Sequence, residues 1–296
     1  MALPDTWERR LGIAEWEPKK MTICIAAICD SGHGLILAGD RELGIEITSA
    51  EFSDGKFLPL FPNKIDWSVG IAGTVSNAID VLAAVRRQEK TMGSKATYDV
   101  RSAIEKGYRE ARLHYAEARF LANRGLTLKE FRSVGAKELP ATTYATIDAQ
   151  LAVFDYGADL IFAGFGEEDM GPAILTVTNP GICTDHSKLG FWCIGSGSTA
   201  AQMSLFARNY SWTSTPELAA YCLLEAKINA EHATGVGTAT DIHLLRKGSK
   251  TPITIKEPTM KLMRGMYDDL KPKDFSGTHE EKLGEANEFK IFRSSK

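Results

Sequence analysis

Apolar, β-favouring stretches occur in this chain in two groups, each followed by a pair of helical patterns, and that order constrains the fold more than any other feature. The first group opens with residues 22–29 and 34–39, two apolar runs joined by Asp30-Ser31-Gly32-His33-Gly34, which read as a hairpin. Short strands are expected at Gly44–Thr48 and Lys56–Leu60 around a Ser53-Asp54-Gly55 turn, and another at Trp67–Gly73. Helices are expected after Thr74, where Ile79, Leu82, Ala83 and Val85 recur at helical spacing, and from about Asp99 to Asn123. Gly125–Pro140 then holds an amphipathic fragment. A second group of strands is expected at Ala141–Tyr156, Asp159–Gly164, Ala173–Thr178 and Phe191–Ile194. Helices follow Gly195–Ser198 and span Thr215–His232, the latter with Thr215 as cap and Pro216 in its first turn. Thr240–Leu245 closes the pattern as a strand. Grouped strands between grouped helices imply α+β layers rather than βαβ alternation.

A net charge of −3 offers no basic field for nucleic acid. No stretch of apolar residues is long enough to span a membrane. Residues 1–20 mix Asp5, Glu8, Arg9, Arg10 and Glu15 with two tryptophans, and so do not read as a secretory signal. Five scattered cysteines (Cys24, Cys29, Cys183, Cys193, Cys222) lack the spacing of a disulfide framework or a zinc site, so reduced, buried thiols in a cytoplasmic protein are expected. No cofactor or metal is expected, and no nucleotide-binding loop is present. Beyond residue 247 the chain turns polar, with a helical stretch near Met260–Leu270 and a flexible one near Ser276–Lys282. The expected organisation is a leader over 1–21, a catalytic domain over 22–247 and a C-terminal extension over 248–296.

Thr22 carries the chemical interest. If everything through Met21 is removed, the chain begins with a threonine bearing a free α-amine. A threonine hydroxyl is a weak nucleophile alone, but its own terminal amine can act as the adjacent base. That amine titrates at roughly 7.7–8.0 when unperturbed, so it accepts a proton at cellular pH. An internal Thr22 lacks this option, because an amide nitrogen is not basic. Asp40 ends the second strand and Lys56 follows the Asp54-Gly55 turn. A buried lysine beside the hydroxyl lowers its pKa, and a carboxylate keeps that lysine oriented. Ser196 lies in a Gly-Ser-Gly-Ser turn opening a helix, where backbone N–H groups can hold negative charge. Taken singly, Thr22 is an ordinary strand residue, Asp40 a turn residue and Lys56 a solvated lysine; their joint order is the signal.

The order Thr22, Ala38-Gly39-Asp40-Arg41, Gly55-Lys56-Phe57 and Gly70-Ile71-Ala72-Gly73-Thr74 resembles the proteasome β-type peptidases of the N-terminal nucleophile hydrolase superfamily, a group that includes bacterial HslV. The resemblance covers about residues 22–247. It implies a four-layer αββα sandwich of two antiparallel sheets, with Thr22 as nucleophile and Asp40 and Lys56 as its support. It further implies that the Gly73 N–H serves the oxyanion hole and that Ser196, in Cys193–Ser198, assists at the amine. Glu231 and Thr234 stand where the family carries an aspartate and a serine, a longer acid and a bulkier hydroxyl.

The implied activity is a threonine-type endopeptidase acting on polypeptide within a homo-oligomeric ring or stack, with any ATPase unfoldase a separate chain. Two alternatives differ in class: an amidohydrolase acting on a small amide, and a non-catalytic structural subunit. Met21 replaces the glycine that usually precedes the family's nucleophile. Met21 is therefore expected to be the true initiator, with residues 1–20 an upstream extension and aminopeptidase trimming exposing Thr22; self-cleavage after Met21 is the alternative route. No histidine is assigned chemistry: His33, His114 and His186 are expected at the surface, and His232 and His243 lack a ligand pattern. Asn77 and Thr74 are expected to cap their helix rather than bind substrate.

Overall fold

The computed structural model describes residues 22–45, 48–51, 56–61, 64–89, 96–166, 171–233, 235–249 and 252–270. The strands are β1 Cys24–Cys29, β2 Gly34–Asp40, β3 Glu42–Ile45, β4 Thr48–Glu51, β5 Phe57–Phe61, β6 Lys64–Gly73, β7 Ala158–Phe165, β8 Pro172–Thr178, β9 Ile182–Asp185, β10 Phe191–Ile194, β11 Thr240–Arg246 and β12 Ile253–Thr254. The longer helices are α1 Val75–Gln88, α2 Thr97–Phe120, α3 Ala141–Val153, α4 Ser198–Ala207, α5 Pro216–Ala230 and α6 Glu257–Leu270.

Two antiparallel five-stranded sheets, ordered β10-β1-β2-β11-β12 and β5-β6-β7-β8-β9, form the middle of the molecule. The β1 and β2 runs are buried along their whole length, because each face of their sheet is covered. One face meets the second sheet: Cys24, Ala26, Ile28, Leu35 and Leu37 pack with Phe57, Ala72, Ile161, Ala163 and Ile174. Strand alternation sends Ile25, Ile36 and Ala38 the other way, towards α4 and α5, which lie against β1, β2, β10 and β11. On the outer face of the second sheet, Trp67, Val69, Leu160 and Leu175 pack with Val81, Val85, Ile104 and Tyr108 of α1 and α2. Helices, sheet, sheet, helices is the αββα sandwich of an α+β fold. Gly107 lets α2 approach α1 closely, since a Cβ there would stand 2.7 Å from the Val85 backbone nitrogen.

The sequence reading of Ala141–Tyr156 as a strand is corrected: Ala141–Val153 is a helix. Its threonines, Tyr144 and Val153 favour strands, but Tyr144, Ile147 and Leu151 recur at helical spacing. They meet Leu121 and Phe131 in a small separate core. The Tyr144 ring stacks on Phe131 at 4.7 Å. The short strand β9 after Gly181 escaped the pattern reading. The expected turn at Ser53–Gly55 and the flexible stretch at Ser276–Lys282 lie outside the described residues.

The chain divides into two compact units, one ending at Ile255 and one starting at Lys256. The second contributes α6, with Glu257 in its first turn. Among the described residues, no helix is long and apolar enough to cross a membrane.

Candidate functional site

Thr22 stands just before β1 and Asp40 at the last position of β2. The antiparallel register pairs Cys24 with Gly39, so the carboxylate at 40 falls beside the residues that lead into β1. Lys56 arrives from the other sheet, immediately before β5. The three side chains meet. Thr22 Oγ1 donates to Asp40 Oδ1 at 2.7 Å. Lys56 Nζ donates to the same carboxylate oxygen at 2.6 Å and to Thr22 Oγ1. All three are buried, Thr22 at 5%, Asp40 at 1% and Lys56 at 3% relative exposure.

Burial makes this pair costly unless its lone pairs and protons are satisfied. Asp40 meets that demand with backbone donors: Ile23 N–H reaches Oδ1 at 3.0 Å and Gly237 N–H reaches Oδ2 at 3.4 Å. The carboxylate therefore has two functions at once, holding the ammonium and tying the start of β1 to the loop before β11. The ammonium rests on the threonine oxygen, where negative charge develops as the hydroxyl gives up its proton.

Cys24 lies two residues beyond Thr22, and its Sγ donates to Ile71 O at 3.4 Å. Burial pushes its thiol up from 9.0 to about 12; the Lys56 charge opposes this and the Asp40 charge adds to it. At neutral pH it is a protonated core group, unsuited to nucleophilic attack.

The Gly195–Ser198 turn follows β10, which pairs with β1 through Cys24 and Ile194. Gly195 has φ +99, and a Cβ there would collide with the Thr22 carbonyl oxygen. Gly197 N–H points at the same oxygen at 3.5 Å. Glycine is thus required for the turn to lie along the Thr22 backbone. Ser196 itself is exposed, and no hydrogen bond of its hydroxyl is recorded among the described residues.

Gly73 ends β6 with φ +83, pressed against the Gly157 carbonyl, while Thr74 N–H bonds that carbonyl at 2.7 Å. Among the described residues no hydrogen bond joins Gly73 to Thr22; Cys24 bonds to Ile71, two residues earlier in β6. Glu231, expected near Thr22, pairs with Lys227 at 2.5 Å. Thr234 and Met21 lie outside the described residues.

Lys227 was not legible as a site element in the sequence, although it lies in the helical run Cys222–Ala230, four residues before Glu231. Gly237 carried no signal, because its part is played by a backbone N–H. Two further expectations are corrected. Thr74 occupies the position before α1 without a side-chain cap bond, and Asn77 is buried and donates to Tyr156 O at 2.6 Å, so neither caps the helix. His186 is half-buried rather than superficial, stacked on Trp192 at 3.8 Å and bonded to Thr176, with burial pulling its pKa down. Among the described residues, no group of three or more His, Cys, Asp or Glu side chains is arranged to hold a metal.

The αββα layering is an architecture found among solved proteins. It is similar to Anbu (ancestral beta-subunit) from Yersinia bercovieri, with TM-score 0.59 and 16% identity over 84% of this chain and 94% of that one. It is also similar to an Anbu (Gly-1) mutant from Hyphomicrobium sp. strain MC1, with TM-score 0.58 and 14% identity over 86% of this chain and 99% of that one. No family model matches the chain, and no curated protein matches it.

These findings correct the resemblance to proteasome β-type and HslV-like peptidases. The two solved structures named above are Anbu proteins, and at such identity they show the fold alone. The reason is physical. Gly39, Gly70, Asp40 and Lys56, which helped carry the resemblance, sit where β1, β2, β5 and β6 meet, so they follow from the layered packing itself.

Proposed function

We propose that this protein is an N-terminal-threonine hydrolase of peptide amide bonds, acting once the chain ahead of Thr22 has been removed. The observation that carries the reading is the buried contact of the Thr22 hydroxyl with the Asp40 carboxylate and the Lys56 ammonium at the lip of β1. Thr22 Oγ1 attacks the scissile carbonyl while its proton passes to the freed α-amine, directly or through water. Lys56 holds the developing charge on the attacking oxygen, and Asp40 holds Lys56. The Gly73 N–H receives the carbonyl oxyanion, a contribution of about 2.7–4 kcal/mol per donor in comparable sites. The C–N bond then breaks and the leaving amine takes the proton. Water, deprotonated by the Thr22 α-amine, then attacks the ester carbonyl, and the proton passes to Oγ1 as the C–Oγ1 bond breaks, which restores Thr22. Ser196, exposed in its turn beside the Thr22 backbone, is assigned to the amine.

The Yersinia bercovieri protein is an ancestral beta-subunit by name, which supports assembly of this chain with copies of itself. Met203, Phe206, Trp212 and Leu218, all at least half exposed on and between α4 and α5, supply apolar surface for that contact. The deciding experiment is hydrolysis of an unfolded polypeptide and of small amides by mature protein and by Thr22→Ala. Loss of about 10³-fold or more with unchanged folding is expected. Full activity in Thr22→Ala sinks the assignment. Turnover of small amides alone reassigns the substrate, and inactivity of mature protein towards both favours a structural subunit.

A further inference from the structure

We propose that Lys227 is a positioning residue for the Thr22 site, acting through the loop that follows α5. Lys227 is completely buried, and its ammonium donates to Glu231 Oε1 at 2.5 Å, Gly237 O at 2.6 Å and Thr238 O at 2.8 Å. A buried lysine is retained at high desolvation cost, and here it is met by one carboxylate and two carbonyls. Those carbonyls belong to the two peptide units that directly follow the Gly237 N–H, which donates to Asp40 Oδ2.

The loop is held at its far end by the β2–β11 ladder, in which Thr240 pairs with Asp40 and the Arg41 N–H bonds Ala239 O at 3.3 Å. At its near end, the Glu231 N–H closes α5 on Lys227 O and Ile228 O. Between these anchors, the Lys227 ammonium fixes where the 236–237 peptide N–H points. That N–H is the donor recorded for Asp40 Oδ2, while Oδ1 receives Lys56, Thr22 and Ile23. Loss of Lys227 frees the Gly237 carbonyl, turns the donor away from Asp40, and loosens the carboxylate that orients Lys56. The effect on turnover rests on the hydrolase reading above, whereas the effect on the loop does not.

The test pairs two readouts on the mature protein that begins at Thr22. Hydrogen exchange is followed by mass spectrometry over residues 235–241 in wild type, Lys227→Met, Glu231→Ala and Asp40→Asn. Steady-state kinetics on an unfolded polypeptide are measured for the same set. Lys227→Met is expected to speed exchange at the Gly237 amide about tenfold, as Asp40→Asn does through loss of the acceptor. It is also expected to lower kcat about tenfold while KM stays within about twofold.

If Lys227→Met does not fold, Glu231→Ala decides on the same readouts, with a smaller effect in the same direction. Unchanged Gly237 exchange in a folded variant overturns the proposal. So does unchanged kcat, or a loss confined to thermal stability. An inactive wild type with accelerated Gly237 exchange in the variant removes the hydrolase reading and leaves the loop clamp standing.

Discussion

Replacing Lys56 by methionine tests the electrostatics of the site through stability alone, without reference to turnover. Methionine keeps nearly the same length and removes only the charged head. In the native protein that head contacts Asp40 Oδ1 at 2.6 Å, with the two side chains 1% and 0% exposed. Removing it leaves a buried carboxylate supported by the Thr22 hydroxyl and the N–H groups of Ile23 and Gly237. Stranding one partner of a buried pair typically costs about 3–5 kcal/mol. For a domain of this size each kcal/mol moves the melting temperature by about 2–4 °C, so a fall of about 6–20 °C is expected. Converting the pair together, Lys56→Met with Asp40→Asn, removes both charges and recovers most of that loss. Differential scanning calorimetry of wild type, both single variants and the double variant closes the cycle. Additive losses, or a Lys56→Met protein that melts with wild type, would refute the claim that the two charges compensate each other in the interior.

Gly195→Ala places a methyl group against the Thr22 carbonyl oxygen at φ +99; it is expected to destabilise by about 1–3 kcal/mol, read by thermal melting, and to lower kcat with it. Cys24 in native protein is expected to resist iodoacetamide at pH 8, where unfolded protein is alkylated readily; rapid native labelling, seen by peptide mass, contradicts the buried thiol. Because its folded pKa lies above its ordinary value, the unfolded state gives up the proton first. Stability is therefore full below about pH 9 and declines as pH rises towards about 12, a fall that Cys24→Ala should reduce in melting curves. Thr22→Ser retains a hydroxyl on the Asp40–Lys56 pair and is expected to keep measurable hydrolysis where Thr22→Ala has none; equal loss in both variants contradicts the hydroxyl's role.

The layer order was readable because it rests on patterns a single chain displays: the hairpin over 22–39, the periodicity of α1 and α2, and the capped start of α5, where Thr215 accepts from Leu218 N–H. The failure at Ala141–Val153 has a definite origin. Strand-favouring Thr142, Thr143 and Val153 outweighed a helical spacing whose partners, Leu121 and Phe131, lie in another segment. Tertiary packing overrode propensity there. At the candidate site, sequence order named Thr22, Asp40 and Lys56, and the geometry adds their convergence across two sheets. Lys227 and Gly237 stayed hidden because their contribution passes through main-chain carbonyls and an N–H, which no residue type announces.

The reading of Thr22 as a nucleophile that uses its own amine is tested most directly by the mass of the N-terminal peptide of the protein isolated from its native host. A peptide starting at Thr22 with an unmodified α-amine is the predicted result. A mature chain that retains Met21, or whose Thr22 nitrogen is acylated, contradicts the account.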